Sequence, residues 1–107
     1  DAPGAGKAIE EMNLIGKAFT AGTSVTSVAG PYLESNSVAA VTCWDPADAG
    51  YVMNVLATKI LEGKKDEIKT GADLGVKGFE DITVDGKYIN GAGWIVITKD
   101  NMGDDDF

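Results

Sequence analysis

The sequence has 107 residues and a formal net charge of −8, from 17 acidic and 9 basic residues. This excess of acid argues against a surface for nucleic acid or anionic membranes, because both need clustered Lys and Arg. The chain contains no histidine and a single cysteine, so it lacks the commonest general base and metal ligand and cannot form an intrachain disulfide. A hydrophobic content of 44% predicts a globular chain, and no apolar run approaches the ~20 residues of a membrane span.

The first predicted element is a helix that opens at the beginning of the sequence. Asp1 can cap it, Pro3 is tolerated in its first turn, and Gly16 is expected to end it. The opening without an initiator Met predicts that the sequence is an internal piece of a longer protein. The residues that share one helical face, and are therefore predicted to be buried, are Ala5, Ala8, Ile9 and Met12.

Two strands and a second helix follow in the predicted order. The segment 17–21 is a short strand candidate, and 22–24 is expected to form a turn whose hydroxyls cap the next helix. That helix carries Val25, Val28, Tyr32 and Leu33, and Pro31 is expected to start it late or to kink it. The apolar segment 38–42 is predicted to be a buried strand. Helix, strand, helix and strand in this order indicate a parallel α/β sheet.

The best-determined element is the helix that follows. Asp45 is its predicted N-cap, Pro46 suits the first helical position, and Asp48 lies near the positive end of the helix dipole. Gly63 is the expected C-terminal stop. The residues predicted to form its apolar stripe are Ala49, Val52, Met53, Leu56, Ile60 and Leu61.

The last part of the sequence is rich in glycine and predicts strands rather than helices. Segments 81–84 and 87–89 flank Asp85-Gly86, which is a good turn for a β-hairpin. Segment 93–98 is predicted to be a final strand, and the acidic tail 103–107 is expected to fray.

Several short motifs are better explained by structure than by chemistry. Gly4-Ala5-Gly6-Lys7 lacks the glycine and the Ser or Thr that a P-loop requires. Segment 81–86 begins like a calcium loop, but its closing acid would fall on Ala92. Cys43 has no histidine to activate it, so a buried structural role is expected. We therefore predict no catalytic residue, no metal ligand and no cofactor.

Three junctions that open helices carry the candidate site. In open α/β sheets ligands gather at the carboxyl ends of strands. Trp44 lies between a buried strand and a capped helix, where an indole can serve either the core or a sugar ring. Asp45 is explained first as a cap, and Ser24 can cap or face a ligand. Together with the opening 1–5, these junctions are expected to meet at one sheet edge and to suit a neutral hydroxylated ligand.

The ordered set of motifs resembles the later part of periplasmic sugar-binding proteins, in the group that includes autoinducer-2-binding and rhamnose-binding proteins. The segment with the strongest resemblance is Val41-Thr42-Cys43-Trp44-Asp45-Pro46. The other matching segments are Asp1 to Glu11, Gly22-Thr23-Ser24, Pro31-Tyr32-Leu33, Gly50-Tyr51 and Leu61-Glu62-Gly63-Lys64.

This resemblance implies a fold and a division of the chain. The family has two α/β lobes of parallel sheets flanked by helices, joined by three crossings, and here a C-terminal β-hairpin is added. Residues 1–107 would be the C-terminal portion, with 1–43 in the second lobe, 44–90 mainly first-lobe helix and hinge segments, and 91–107 the return strand and tail. Such a piece leaves strand edges and helix stripes uncovered, so pairing with another copy or with the missing part is expected.

The resemblance also implies a set of ligand-binding residues. Pro3 and Ala5 match a loop that touches the ligand in autoinducer-2 binders. Ser24 matches a strand-end position that is often an acid in ribose binders, so its hydroxyl puts ribose in doubt. Trp44 matches a hinge-side position that is a polar amide in ribose binders. The acidic ligand contacts of earlier family loops are missing from this chain, so its site is incomplete.

The function implied is capture of a small sugar-like molecule (autoinducer-2, rhamnose or a related compound) by lobe closure, followed by delivery to the membrane permease of an ABC importer. No bond is broken, so the protein is not an enzyme. A periplasmic or extracellular location follows, with or without a lipid anchor. Two alternatives stay open: the effector-binding core of a sugar-responsive transcriptional repressor, which shares the architecture, and a small α/β enzyme that would use acids such as Asp45 and Asp48.

Overall fold

A computed structural model describes residues Asp1–Asp104, which fold as mixed α/β. The chain divides into two compact units, one formed by Asp1–Cys43 with the segment that begins at Ile95, the other by Trp44–Trp94. We call them the sheet unit and the helix–hairpin unit. The helices are α1 (Ala2–Glu11), α2 (Thr26–Glu34) and α3 (Pro46–Leu61), and the strands are β1 (Ala21–Thr23), β2 (Ala40–Trp44), β3 (Thr83–Asp85), β4 (Tyr88–Asn90) and β5 (Trp94–Ile97).

The sheet has the strand order β1-β2-β5, and β1 runs parallel to β2, which confirms the predicted parallel α/β arrangement. The prediction of a strand at 17–21 was wrong, because β1 occupies Ala21–Thr23, where a turn was expected. The Ala39 amide donates to the Thr20 carbonyl at 2.9 Å, and the Ser24 amide donates to the Thr42 carbonyl at 3.3 Å. This pairing with β2 outweighs the local turn preference of the Gly-Thr-Ser sequence. The second strand also begins and ends two residues later than predicted.

Helix α1 presents a different face to the core from the one predicted. Its buried residues are Ala2, Gly6 and Ile9, whereas Ala5, Ala8 and Met12 are exposed. Gly6 decides this face, since a Cβ there would lie 2.7 Å from Cγ2 of Val38. The helix ends at Glu11 rather than Gly16.

The predicted hydroxyl caps of the second helix were also wrong. Val25 is the N-cap residue of α2, with no side-chain cap hydrogen bond, and the helix runs from Thr26 through Pro31 to Glu34. Pro31 therefore lies inside the helix and does not start it. Ala29 and Leu33 are the residues that α2 buries, and their burial stabilises a helix that lacks side-chain capping.

The core of the sheet unit is apolar, with one polar link beside it. Ser35 Oγ and Ser37 Oγ donate to Oε1 of Glu10 at 2.5 and 2.9 Å, which ties α1 to the loop after α2. Ser37 is fully buried, and these bonds satisfy its hydroxyl. The buried cluster consists of Ala2, Ala29, Leu33, Val38, Val41, Cys43 and Ile97.

Helix α3 confirms the predicted cap. Oδ1 of Asp45 accepts the Ala47 amide at 2.7 Å, and Gly63 follows the helix with φ +74°. Its predicted apolar stripe is only partly covered. Val52 is buried and Leu56 is half-buried, whereas Met53, Ile60 and Leu61 are 70%, 54% and 87% exposed.

The remainder of the helix–hairpin unit contains the predicted hairpin and a looped segment. Strands β3 and β4 pair antiparallel with Asp85 opposite Tyr88, so the two-residue turn is Gly86-Lys87, one residue later than predicted. Gly86 has φ +58°, as primed hairpin turns require. The buried cluster of this unit consists of Val52, Leu74, Val76 and Ile82.

The end of the sequence is described only in part. Strand β5 lies within the predicted segment 93–98 and confirms it. Of the acidic tail predicted to fray, residues 105–107 lie outside the described residues. Among the described helices, none has the length and apolar character that a membrane crossing needs.

Candidate ligand-binding pocket

The helix–hairpin unit contains an open cavity of about 400 Å³ beside the beginning of α3. We call it the indole pocket. Its volume falls in the range of small-molecule sites, which are lined by apolar and aromatic side chains with a few polar groups. Its lining includes Trp44, Asp45, Asp48, Lys77, Phe79, Asn90 and Trp94.

Two tryptophans dominate the pocket, and they are the only ones in the sequence. The rings of Trp44 and Trp94 meet edge to face, with centroids 5.4 Å apart and an interplanar angle of 82°. This arrangement is the one that aromatic quadrupoles favour. The side chains remain 49% and 59% exposed. The pair therefore holds its own geometry and still offers apolar ring surface to a ligand.

The acidic side of the pocket is positioned by the first turn of α3. Asp45 is held by the bond from its Oδ1 to the Ala47 amide, and Asp48 lies three residues further along the chain, within that first turn. The structure shows no other hydrogen bond to either carboxylate among the described residues. At least three carboxylate oxygens are therefore available to ligand hydroxyl or N–H groups.

Another part of the pocket lining is built by glycines packed on an aromatic ring. A Cβ at Gly91 would collide with Cδ1 of Phe79, and one at Gly93 would lie 2.9 Å from its Cε2. The Ala92 amide donates to the Gly78 carbonyl at 2.6 Å. This close approach fixes the segment that leads into Trp94 and places Asn90 at the pocket wall.

The predicted site residues are divided between the two units. Pro3 is half-buried in the first turn of α1, Ala5 is exposed on the same helix, and Ser24 follows β1, all in the sheet unit. A Cβ at Gly22 would lie 3.2 Å from the Cβ of Ala2. The opening of α1 therefore lies beside the middle of β1, two residues before Ser24.

Trp44 belongs to the helix–hairpin unit, and the indole pocket supplies its observed surroundings. Sequence reasoning selected Trp44 and considered Asp45, but it missed Phe79, Asn90 and Trp94. The sequence feature that could have indicated this part of the pocket is the second tryptophan, Trp94, which directly follows Gly91-Ala92-Gly93. Its spatial link to Trp44 joins residues 50 positions apart, which local patterns do not reveal.

The lining of the indole pocket combines apolar and polar groups. It offers aromatic surface, two carboxylates, an amide and one ammonium group. The described residues contain no group of three or more His, Cys, Asp or Glu side chains that could hold a metal ion. In comparisons with known proteins, no family model matches the sequence, and no curated protein matches it.

Proposed function

We propose that this chain is the C-terminal portion of an extracytoplasmic solute-binding protein that delivers a sugar or sugar-like molecule to the permease of an ABC importer. Autoinducer-2, rhamnose and related compounds are the candidate ligands. The observation that carries the proposal is the indole pocket, in which two exposed tryptophan faces stand beside carboxylate and amide groups.

The pocket supports a sugar because such a ligand has two kinds of surface. The C–H groups of a sugar ring form an apolar face that can stack on an indole. The hydroxyls at its rim donate to carboxylates such as Asp45 and Asp48, and they exchange hydrogen bonds with the amide of Asn90. An aromatic platform with a few polar groups is the usual composition of a small-molecule site.

The division of the chain into two units supports a mechanism of capture by closure. Each unit has its own buried cluster, and the chain passes from one to the other after Cys43 and returns after Trp94. In the proposed mechanism the two lobes of the whole solute-binding protein open and close about hinge segments. The closed form is stabilised by ligand contacts to both lobes.

The uncovered stripe of α3 supports the proposal that further protein packs on this unit. Met53, Ile60 and Leu61 present apolar surface that a folded protein would bury where it can. The proposed partner is the remainder of the solute-binding protein or another copy of this chain. Light scattering of the 107-residue chain should therefore show association, and a monomeric particle would count against it.

Ligand titration followed by tryptophan fluorescence tests the function. Both tryptophans line the pocket, so autoinducer-2, rhamnose or a pentose that enters it should change the emission. Trp44→Phe and Trp94→Phe should each weaken binding, measured by calorimetry because the probe itself is altered. Tyr51→Phe is the matched control, since Tyr51 is exposed and outside the pocket. No response to any small polyol would overturn the proposal.

A further inference from the structure

We infer that the indole pocket selects a sugar-sized ligand that carries a protonated amine, such as an amino sugar. This inference rests on the proposed function and narrows its ligand class. Two properties of the indole pocket support it. The negative charge of its carboxylates is not fully compensated, and two partly exposed indole rings meet there nearly at a right angle.

The negative charge comes from the first turn of α3. Neither Asp45 nor Asp48 forms an ion pair, because the salt bridges among the described residues are Lys7–Glu11, Lys59–Glu67 and Lys64–Glu62, none of which involves a pocket residue. Lys77 lines the pocket and supplies its one ammonium group. The sequence contains nine lysines and no arginine, so the pocket has no guanidinium with which to bind an anion.

The helix end does not remove this charge. The amino terminus of a helix is equivalent to roughly half a positive charge. Two carboxylates therefore exceed the sum of that charge and the one ammonium group of Lys77. Lys77 is also exposed, so its flexible side chain can place its charge in solvent. A neutral ligand can donate hydroxyls to the carboxylates but leaves the net negative charge in place, whereas an ammonium group also compensates it.

The rings of Trp44 and Trp94 favour the same ligand. The face of an indole attracts a cation that lies within about 6 Å of the ring centroid. Trp44 and Trp94 meet edge to face and nearly perpendicular with centroids 5.4 Å apart, so a cation in the angle that the two rings form can lie near both. A sugar with an amine can stack its ring on one indole while its ammonium group lies near the other ring and a carboxylate.

Calorimetry with matched sugars tests the inference. Glucosamine, mannosamine, their N-acetyl derivatives, glucose and mannose are titrated into the purified protein at a pH where the free amines are protonated. The amines should bind about tenfold more tightly than the parent sugars, a difference of about 1.4 kcal/mol. The N-acetyl derivatives keep the ring and the nitrogen but lose the charge, so they should lose this advantage.

Charge-removing variants assign the selectivity to the two carboxylates. The double variant Asp45→Asn with Asp48→Asn keeps an efficient helix cap, and it should reduce the amine preference to the smaller part that the two indole rings supply. The matched control is Asp73→Asn, because Oδ1 of Asp73 also accepts a backbone amide, that of Gly75 at 2.7 Å, but lies outside the pocket. The control should keep the preference, and Lys77→Gln should increase it.

The outcomes separate this inference from the function on which it rests. Parent sugars, rhamnose or autoinducer-2 that bind as tightly as the amines would overturn the amine selectivity and leave solute binding in place. An amine preference that the double variant leaves undiminished would also overturn it. Failure of every sugar and of autoinducer-2 to bind would overturn the proposed function itself.

Discussion

The two units reach a folded state by different means. The sheet unit satisfies its backbone through helices and a strand ladder, and its core lies between α2, β2 and β5. The helix–hairpin unit has one long helix, a two-stranded hairpin and a looped segment closed by isolated backbone bonds. Among these, the Gly71 amide donates to the Ile82 carbonyl at 2.8 Å, and the Phe79 amide donates to the Val76 carbonyl at 2.8 Å.

The difference is visible in how glycine is used. Five of the six glycines with positive φ lie in the helix–hairpin unit, at positions 63, 71, 75, 78 and 86. Positive φ is strained for residues other than glycine, so the turns at these positions require glycine. In the sheet unit, Gly6 instead allows a helix to approach Val38 and Tyr32 closely. Irregular backbone with glycine turns therefore shapes the pocket in the helix–hairpin unit, whereas the sheet unit is organised by close packing of a helix.

The largest expected effect on the free energy of unfolding comes from a substitution in the irregular backbone of the helix–hairpin unit. In Gly78→Ala the new Cβ would lie 2.5 Å from the Cα of Gly93, at φ +81°, so backbone must move. We expect a loss of about 4 kcal/mol in the free energy of unfolding, from overpacking and left-handed strain together. Urea denaturation followed by tryptophan emission measures it.

Gly75→Ala is the matched control for that variant. Gly75 has φ +71°, but a Cβ added there would have no atom within 4 Å, so the substitution isolates conformational strain, expected at about 1 kcal/mol. Equal effects of the two substitutions would show that steric contact with Gly93 does not hold this wall of the pocket.

The next largest effect on stability is expected from core substitutions, which test whether the two units unfold separately. Leu33 and Ile82 are each fully buried, one in each core. Leu33→Ala and Ile82→Ala should each cost about 3 kcal/mol, from lost burial and the cavity left behind. Amide hydrogen exchange should accelerate mainly in the unit that carries the substitution. Equal acceleration in both units by either variant would show that they unfold as one.

The smallest effect concerns the ion pair that links α3 to the short turn after it. A hydrogen bond from Lys59, and then the charge of Lys59, lower the pKa of Glu67 below its ordinary value of 4.5. Since the folded pKa is the lower one, this pair stabilises the fold above that value and ceases to do so as the pH falls through the folded pKa. Glu67 is exposed and Lys59 is half-buried at the surface, so the effect on stability is small.

Substitution of Lys59 tests this link. In Lys59→Gln the pKa of Glu67 should rise towards its ordinary value, which NMR titration of the Glu67 carboxyl carbon measures. Lys7→Gln, which removes a partner of Glu11 in the sheet unit, should leave the Glu67 pKa unchanged. A Glu67 pKa that does not respond to Lys59→Gln would contradict the assigned cause.

The sequence predicted the elements whose signals are local. Asp45-Pro46 determines where α3 begins, since the cap and the proline act within one turn. Gly86 determines that the chain reverses between β3 and β4, because the turn needs a positive φ. The burial of Cys43 and the position of Trp44 at the end of an apolar strand also follow from neighbouring residues.

Tertiary structure decided the features that depend on distant partners. Strand β1 lies at Ala21–Thr23 because β2 offers its backbone there, and α1 buries Gly6 because Val38 and Tyr32 need that space. The pocket exists because Trp94 meets Trp44. Local sequence patterns determined where the capped helix begins and, to within one residue, where the tight turn lies, since hydrogen bonds and dihedral preferences act over a few residues. Which faces are buried and which aromatic rings meet required packing between segments far apart in the chain.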